Sequence, residues 1–312
     1  MTVTEAPPAR PAPAAPVPDR RPVKLALQVP GVALSTLACL ALGLVIHLTL
    51  VSQLQYARNQ QTAFADFRTE LAQGTAPVGQ NRMDFTDGGA GRERLVEAGS
   101  AVAVLRIPAV GLQTVIFEGS SGEVLRSGPG HRRDTVLPGQ PGTSLVLGRR
   151  AAYGGPFRDL DLLLPGDMIT VTTGQGEHSY RVTGLRRPGD NAPPELVAGA
   201  GRLTLITADG DPFVPHDVLR VDADLVSPAQ PAPKRTFGAA SLPPAEQAMA
   251  TDPNAWTPLM LWGQAIVLAA LALTYLRSRW GRWQAWIVGT PLLVALGLAI
   301  ADQAARLLPN LL

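Results

Sequence analysis

Three long runs without a charged residue constrain this chain more than any other feature of its sequence. At about 1.5 Å of rise per residue, about 20 apolar residues cross a hydrocarbon layer of about 30 Å as a helix. Each run is long enough for such a crossing. The runs extend from Gly31 to Val51, from Thr257 to Leu276 and from Gln284 to Ala301. The sequence therefore predicts three transmembrane helices, at residues 29–52, 257–276 and 284–301.

Basic residues flank two of the membrane boundaries and orient the chain. They are Arg20, Arg21 and Lys24 before the first run and Arg277, Arg279 and Arg282 between the second and third runs. Because short loops rich in Lys and Arg remain cytoplasmic, both segments are predicted on the cytoplasmic side. We therefore expect a multi-pass protein of the cell membrane whose β domain is extracytoplasmic. His47, near the outer end of the first run, has no ionisable neighbour within that run, and we expect a neutral, structural histidine.

The segments beside the runs differ in composition. Residues 1–24 and 227–256 are rich in Ala and Pro and have no apolar periodicity, which predicts a disordered cytoplasmic tail and a semi-extended tether. Within residues 53–100, Phe64, Phe67 and Leu71 recur at helical spacing. We therefore expect a juxtamembrane helix that is followed by a polar connection.

Residues 101–226 change to a period of two. Leu105 and Ile107 alternate with residues on the other face, and Leu219 and Val221 do the same near the end of the segment. Gly and Pro separate roughly eight such short strands. The predicted fold class is mainly β, with a closed or nearly closed eight-stranded barrel beside the three transmembrane helices.

Charge and cysteine content exclude several functions. The formal net charge of +2 gives no strong field of one sign, so we expect no nucleic-acid partner. The single cysteine, Cys39, lies in the first apolar run, which leaves no thiol for a disulfide or a metal site outside the membrane. The acidic stretch from Asp209 to Asp217 lacks the full spacing of a calcium loop, and turn chemistry is favoured there. We expect no metal and no cofactor.

Five short stretches of the β segment carry a resemblance to a known family. They are Val104–Leu112, Gly128–His131, Leu137–Gly142, Tyr153–Leu160 and Leu164–Asp167. These stretches resemble the sortases, and most of all the actinobacterial class E type. The resemblance covers residues 101–226 and implies the eight-stranded sortase barrel.

Sortases are membrane-anchored transpeptidases that act on the sorting signals of secreted proteins. They use a Cys nucleophile, a His acid/base and an Arg that stabilises the oxyanion. The resemblance places Arg149 at the histidine and Ala208 at the cysteine. Arg220 lies slightly beyond the position of the arginine, where it either replaces that residue or is an ordinary strand charge. We therefore expect no sortase reaction by the family's mechanism.

The function predicted from the sequence is that of a pseudo-sortase. Such a protein binds a sorting-signal-like peptide, a cell-wall component or a membrane protein on the outer face without catalysing a reaction. The candidate binding residues are His131, Arg149, Arg150, Tyr153, Thr207, Ala208 and Arg220.

Three alternatives remain open from the sequence. One is a cysteine-independent hydrolase or transpeptidase that uses Thr207 or an Asp, and another is a structural membrane scaffold in which the barrel is a spacer. The third concerns Arg132, Arg133, Arg149 and Arg150, which form either a basic patch or separate solvated charges.

Overall fold

A computed structural model of the protein describes residues 25–84, 92–279 and 282–312. The predicted tail at residues 1–24 lies outside the described residues. The chain divides into two compact units, Met1–Cys39 and Leu40–Leu312. The larger unit contains the β domain, and the contacts described below lie within it.

A continuous helical segment precedes the β domain. Helix α1 (Leu25–Ile46) continues through a π-helical turn (His47–Val51) into α2 (Ser52–Gln73), which ends at Gly74 in a left-handed conformation with φ of 68°. Two further helices, α3 (Trp256–Arg279) and α4 (Arg282–Arg306), follow the β domain.

Among the described residues, three helices are long and apolar enough to span a membrane. They are Leu37–Gln73, Pro253–Leu276 and Trp283–Arg306. The prediction of three such helices is confirmed, and the juxtamembrane helix is the direct continuation of the first span. The orientation of the helices in the membrane stays a prediction.

Eight strands of the described chain close into a barrel. They are β3 (Ala101–Ile107), β4 (Leu112–Glu118), β5 (Gly130–His131), β6 (Gly142–Leu147), β7 (Met168–Thr173), β8 (Gly176–Arg186), β9 (Gly201–Asp211) and β10 (Val214–Leu225). Their order around the barrel is β10-β8-β7-β3-β4-β5-β6-β9. The pairs β4–β5 and β6–β9 are parallel, and the other pairs are antiparallel. The predicted mainly β class and eight-stranded barrel are confirmed.

The interior of the barrel follows the alternation in the sequence, with one exception. Leu105, Ile107, Leu205 and Val221 are all buried in one apolar core. The exception is Val102, which strict alternation would turn away from Ala103, because both residues are buried in that core. The pairing of β3 with β4 shifts register between Ala101 and Ala103, and such a bulge turns two successive side chains to similar sides.

Segments outside the barrel lie against it. A small hairpin, β1 (Asn81–Asp84) with β2 (Arg92–Leu95), occupies part of the predicted polar connection. The segment predicted as a tether is extended but packed on the domain. The backbone N–H of Gln230 donates to the Gly139 carbonyl oxygen at 2.8 Å, and the side chain of Gln80 accepts hydrogen bonds from the backbone N–H groups of Thr236 and Phe237.

The last residues of the chain also return to the barrel. The segment Leu307–Leu312, called the C-terminal segment below, follows α4 and buries Asn310, Leu311 and Leu312. The backbone N–H groups of Arg150 and Ala152 donate to the carbonyl oxygens of Leu311 and Leu312, at 2.9 and 3.3 Å. No pattern in the sequence predicted this docking.

Candidate functional site

The parallel pairing of β6 with β9 brings Arg149, just beyond the end of β6, near Ala208 in β9. In the pairing of β6 with β9, Leu147 lies opposite Ile206, and the Gly148 N–H donates to the Ile206 carbonyl oxygen at 2.9 Å. Two residues further along each segment, the chain reaches Arg149 and Ala208. The neighbouring Arg150 confirms the proximity, because its Nη1 donates to the Ala208 carbonyl oxygen at 3.1 Å.

Ala208 lies on the outer face of the barrel, in an apolar cluster separate from the interior core. The cluster consists of Leu125, Leu147, Ile206, Ala208 and Leu311, with Leu145, Val218, Ala248 and Met249 at its border. Its members other than Leu311 are called the outer apolar pocket below. Ala208 is 1% exposed and Leu311 is fully buried. Ala208, to which the resemblance gives the position of the cysteine, is therefore buried in one cluster with a residue of the C-terminal segment.

Arg149 is held by carbonyl groups and a ring. Its Nε donates to the Leu125 carbonyl oxygen at 3.2 Å and its Nη2 donates to that of Gly122 at 2.9 Å. Its guanidinium carbon lies 4.8 Å from the centre of the Tyr153 ring. Burial lowers the pKa of Arg149 to about 10, which still leaves the guanidinium protonated at neutral pH. A group in this state has no free electron pair for general-base catalysis.

Tyr153 is fully buried and adopts a φ of 51°. This left-handed conformation is unfavourable for a bulky side chain and requires support from surrounding contacts. The support comes from α2, because the Tyr153 N–H donates to Ser52 Oγ at 3.2 Å, and from the Arg126 guanidinium 5.2 Å from the ring centre. Tyr153 therefore connects the helical anchor to the site.

Ionisable side chains from the helices and from the β domain meet beside Tyr153. Asp302 on α4 lies 3.0 Å from Arg126 Nη2, 3.8 Å from His47 Nε2 and 3.5 Å from Arg306 Nε. We call His47, Arg126, Asp302 and Arg306 the ionic cluster. The first run itself offers His47 no ionisable neighbour, and Asp302 comes from α4. Asp302 is 255 positions away in the sequence, and only helix packing brings the two together.

Two other candidate residues point away from the pocket. Thr207 is fully buried, and its hydroxyl donates to the Gly148 carbonyl oxygen at 2.9 Å. His131 is buried with its Nδ1 2.8 Å from Glu118 Oε2 and its Nε2 2.9 Å from the Val136 carbonyl oxygen. A second buried histidine, His178, has its Nε2 3.1 Å from Thr173 Oγ1. Both of these buried histidines are therefore bound to groups other than Thr207.

The remaining arginines do not form one basic patch. Arg132 pairs with Asp134 at 2.6 Å, Arg150 pairs with Asp161 at 3.2 Å, and Arg133 lies 3.8 Å from Glu246. Each of the three thus has its own carboxylate.

Arg220 lies on the strand that follows β9 around the barrel. It is opposite Ile206 and therefore two positions from Val218, which is opposite Ala208. Within residues 25–84, 92–279 and 282–312, no group of three His, Cys, Asp or Glu side chains is arranged to hold a metal ion.

Together, the fold and the site define a closed eight-stranded barrel on apolar helices, with the paired strands β6 and β9 beneath a covered pocket. Residues 105–221 match the family model of the sortase domain. The β domain of this chain is therefore similar to a sortase domain.

A curated protein is also similar to part of this chain. The chain is 30% identical over 86 residues to Sortase D of Bacillus subtilis (strain 168), a match that covers 28% of this chain. It spans 42% of the length of that curated relative.

Solved structures similar to this chain include the Sortase D5 transpeptidase of Clostridium perfringens and sortase E of Streptomyces avermitilis. The first is 22% identical, with a TM-score of 0.42 and coverage of 55% of this chain and 99% of that one. The second is 31% identical, with a TM-score of 0.36 and coverage of 42% and 91%. Relatives of more than one sortase class are thus similar to this chain, and its assignment to class E stays a prediction.

Proposed function

We propose that this protein is a membrane-anchored, non-catalytic sortase-like protein in which the site at Arg149 and Ala208 docks a peptide. The observation that carries the proposal is the burial of Leu311 in one apolar cluster with Ala208. A peptide segment occupies the site, and no nucleophilic side chain stands at the position that the resemblance gives to the cysteine.

The chemistry of the side chains supports the absence of catalysis. The methyl group of Ala208 cannot attack a carbonyl carbon, and the guanidinium of Arg149 is already donating to two backbone carbonyls. The single thiol of the chain, Cys39, lies in α1. In a serine protease, loss of the nucleophile lowers turnover by about a factor of 10⁶.

A peptide is the ligand class that the contacts favour over a cell-wall polymer. The backbone N–H groups of Arg150 and Ala152 donate to peptide carbonyl oxygens, and an adjacent pocket accepts an aliphatic side chain. Backbone hydrogen bonds beside a side-chain pocket are typical of the recognition of extended peptides. On the predicted topology, such a ligand belongs to a protein on the outer face of the membrane.

One observation favours a second candidate, the structural membrane scaffold. Helix α2, the 227–256 segment and the C-terminal segment all hydrogen-bond to the β domain, so the barrel is fixed to its anchor at several places. A scaffold tolerates substitutions in the outer apolar pocket that leave these attachments intact, whereas a peptide-docking protein does not.

The experiment for the proposed function searches for covalent chemistry. The full chain in detergent is incubated with a sorting-signal peptide, and intact-mass spectrometry monitors acyl adducts and peptide products. We expect neither. An acyl adduct on any residue of the chain would overturn the proposal.

A variant with Arg149→His and Ala208→Cys supplies the matched comparison. This variant regains a thiol and an imidazole at neighbouring positions, and weak hydrolysis is expected once the pocket is free. The further change Leu311→Asp favours release of the C-terminal segment from the pocket. Hydrolysis by the triple variant, but not by the natural chain, indicates that the missing side chains are the cause of inactivity.

A further inference from the structure

The C-terminal segment contacts the barrel as a bound peptide does. Three kinds of contact hold it, and each belongs to a different part of the segment. The carbonyl oxygens of Leu311 and Leu312 accept backbone hydrogen bonds, and the Leu311 side chain fills the outer apolar pocket. Upstream, Asn310 Nδ2 donates to the carbonyl oxygens of Ser120 and Gln247, at 3.1 and 2.8 Å.

These contacts distinguish one peptide sequence from another. Two carbonyl oxygens face the side-chain amide of Asn310, so the site requires a donor there and repels a carboxylate. The pocket under Leu311 is lined by aliphatic side chains and Ala208, so it excludes a charge. The site therefore selects an amide followed by an aliphatic residue.

The docked state also contains an unfavourable feature that makes release possible. Asn310 Oδ1 is buried and has no hydrogen-bond partner among the described residues. This cost disappears when the segment leaves and water reaches Asn310 Oδ1.

We propose that Leu307–Leu312 is an intramolecular, displaceable ligand of the sortase-domain site, which also accepts an external peptide of the same chemistry. This inference rests on the proposed function, because it assigns the peptide class and its internal competitor to that site. The external ligand is an extended segment in which an asparagine precedes a leucine or a similar aliphatic residue.

The ionic cluster determines where the segment begins. Asp302 on α4 pairs with Arg126, the residue that follows Leu125 in the sequence, and Leu125 belongs to the pocket. Helix α4 ends at Arg306, immediately before the segment. The end of α4 is thus fixed beside the pocket, and the segment needs only a few residues to reach it. A ligand so attached has a high effective concentration, so an external peptide binds the natural chain weakly.

The test uses the full chain and a labelled peptide with the sequence of Leu307–Leu312. In the variants Asn310→Asp and Leu311→Asp, the chain's own segment no longer fits, while the rest of the site is unchanged. We expect both variants to bind the peptide at least tenfold more tightly than the natural chain. The matched control is Asn191→Asp, which makes the same change in an exposed loop and should bind as weakly as the natural chain.

Hydrogen exchange provides a second measurement that does not depend on peptide affinity. The amides of Arg150 and Ala152 should be protected in the natural chain, exchange faster in the two variants, and regain protection when the peptide is added. A peptide of scrambled sequence should restore nothing.

Two outcomes overturn the inference. One is a folded Asn310→Asp or Leu311→Asp variant that binds the peptide no better than the natural chain, and the other is equal binding of the scrambled peptide. Neither outcome affects the absence of catalysis, which the acyl-adduct experiment tests separately. An acyl adduct would instead overturn the proposed function and leave the docking of the segment in place.

Discussion

A single arginine determines much of the character of this site. Arg149 is 3% exposed, and no carboxylate is among the groups that hold it. Two carbonyl oxygens and the face of Tyr153 compensate for its desolvation instead. A histidine at this position would be free to exchange protons, whereas the guanidinium fixes the loop around Gly122 and Leu125 against the strand end. The residue thus holds the site in one conformation.

We expect Arg149→Lys to destabilise the protein by about 2 kcal/mol. The change keeps the positive charge, but one ammonium group cannot reproduce the fork that reaches Leu125 and Gly122 together. Thermal unfolding of the full chain in detergent measures the effect. Arg181→Lys, at an exposed position on β8, is the control and should change stability by less than about 0.5 kcal/mol. Equal stability of the two variants contradicts the structural role of Arg149.

The buried pair of His131 and Glu118 predicts a dependence of stability on pH. Burial alone lowers the pKa of His131, but the Glu118 carboxylate and the Val136 carbonyl outweigh it and raise the pKa above the usual value. The charged pair therefore contributes fully below the unfolded-state pKa of about 6.5, and its contribution is lost as pH rises through the folded-state pKa.

Comparison of the natural chain with Glu118→Gln isolates this contribution. The difference in unfolding temperature between the two should be largest near pH 6 and should shrink as pH increases. Burial lowers the pKa of His178, so this residue changes the stability with pH in the opposite direction. Because both proteins contain His178, its contribution cancels in the difference. A difference that stays constant over this pH range would mean that His131 is neutral in the folded protein.

At the scale of elements, the attachment of α2 to the barrel depends on one glutamine. Gln60 Oε1 accepts from the Val115 N–H at 2.7 Å and from Thr114 Oγ1 at 3.1 Å, while its Nε2 donates to the Ser127 carbonyl oxygen at 2.8 Å. One side chain thus joins the helix to β4 and to the turn that follows it. Because α2 continues α1, this contact also joins the membrane anchor to the β domain.

Gln60→Ala should lower the free energy of unfolding by about 2 kcal/mol, because it leaves the groups on β4 without their partner. Gln61→Ala, one residue along the same helix and exposed, should have little effect. Chemical denaturation of the full chain compares the two. Similar midpoints for both variants would indicate that water replaces Gln60 without loss.

The elements also mark the limit of what the sequence predicts. A period of two identifies strands such as β7 and β10, because each contributes alternate residues to one core. The hairpin of β1 and β2 has short polar strands without such a period, so composition suggested a loop. The Pro-rich 227–256 segment has no apolar face, and it lies on the barrel through backbone hydrogen bonds, which side-chain patterns do not record.

The site was predictable only in part, for a similar reason. The resemblance to sortases marked Arg149 and Ala208, and the register of β6 with β9 brings these two together. Leu311 follows Ala208 by 103 positions, and nothing local in the sequence relates the two. The covered state of the site is therefore a property of the whole chain rather than of its motifs.

At the scale of the whole molecule, the two ends of the helical anchor meet beside the barrel. His47 lies near the end of the first apolar helix and Asp302 near the end of the last. His47 Nε2 is 3.8 Å from Asp302 Oδ1. Arg126 of the β domain pairs with the same carboxylate at 3.0 Å. On the predicted topology of three spans, the first and last spans end on one side of the membrane, which is the side predicted for the barrel.

The topology predicted from the basic residues is that the barrel is extracytoplasmic and the turn between α3 and α4 is cytoplasmic. Cysteines are introduced singly at Asn191, on an exposed loop, and at Ser278, near the turn, in a chain with Cys39→Ser. A membrane-impermeant thiol reagent on intact cells should label the cysteine at position 191, whereas the cysteine at position 278 should react only after lysis. Labelling of position 278 in intact cells, with position 191 protected, would invert the topology and remove the barrel from the outer face on which the proposed peptide ligand depends.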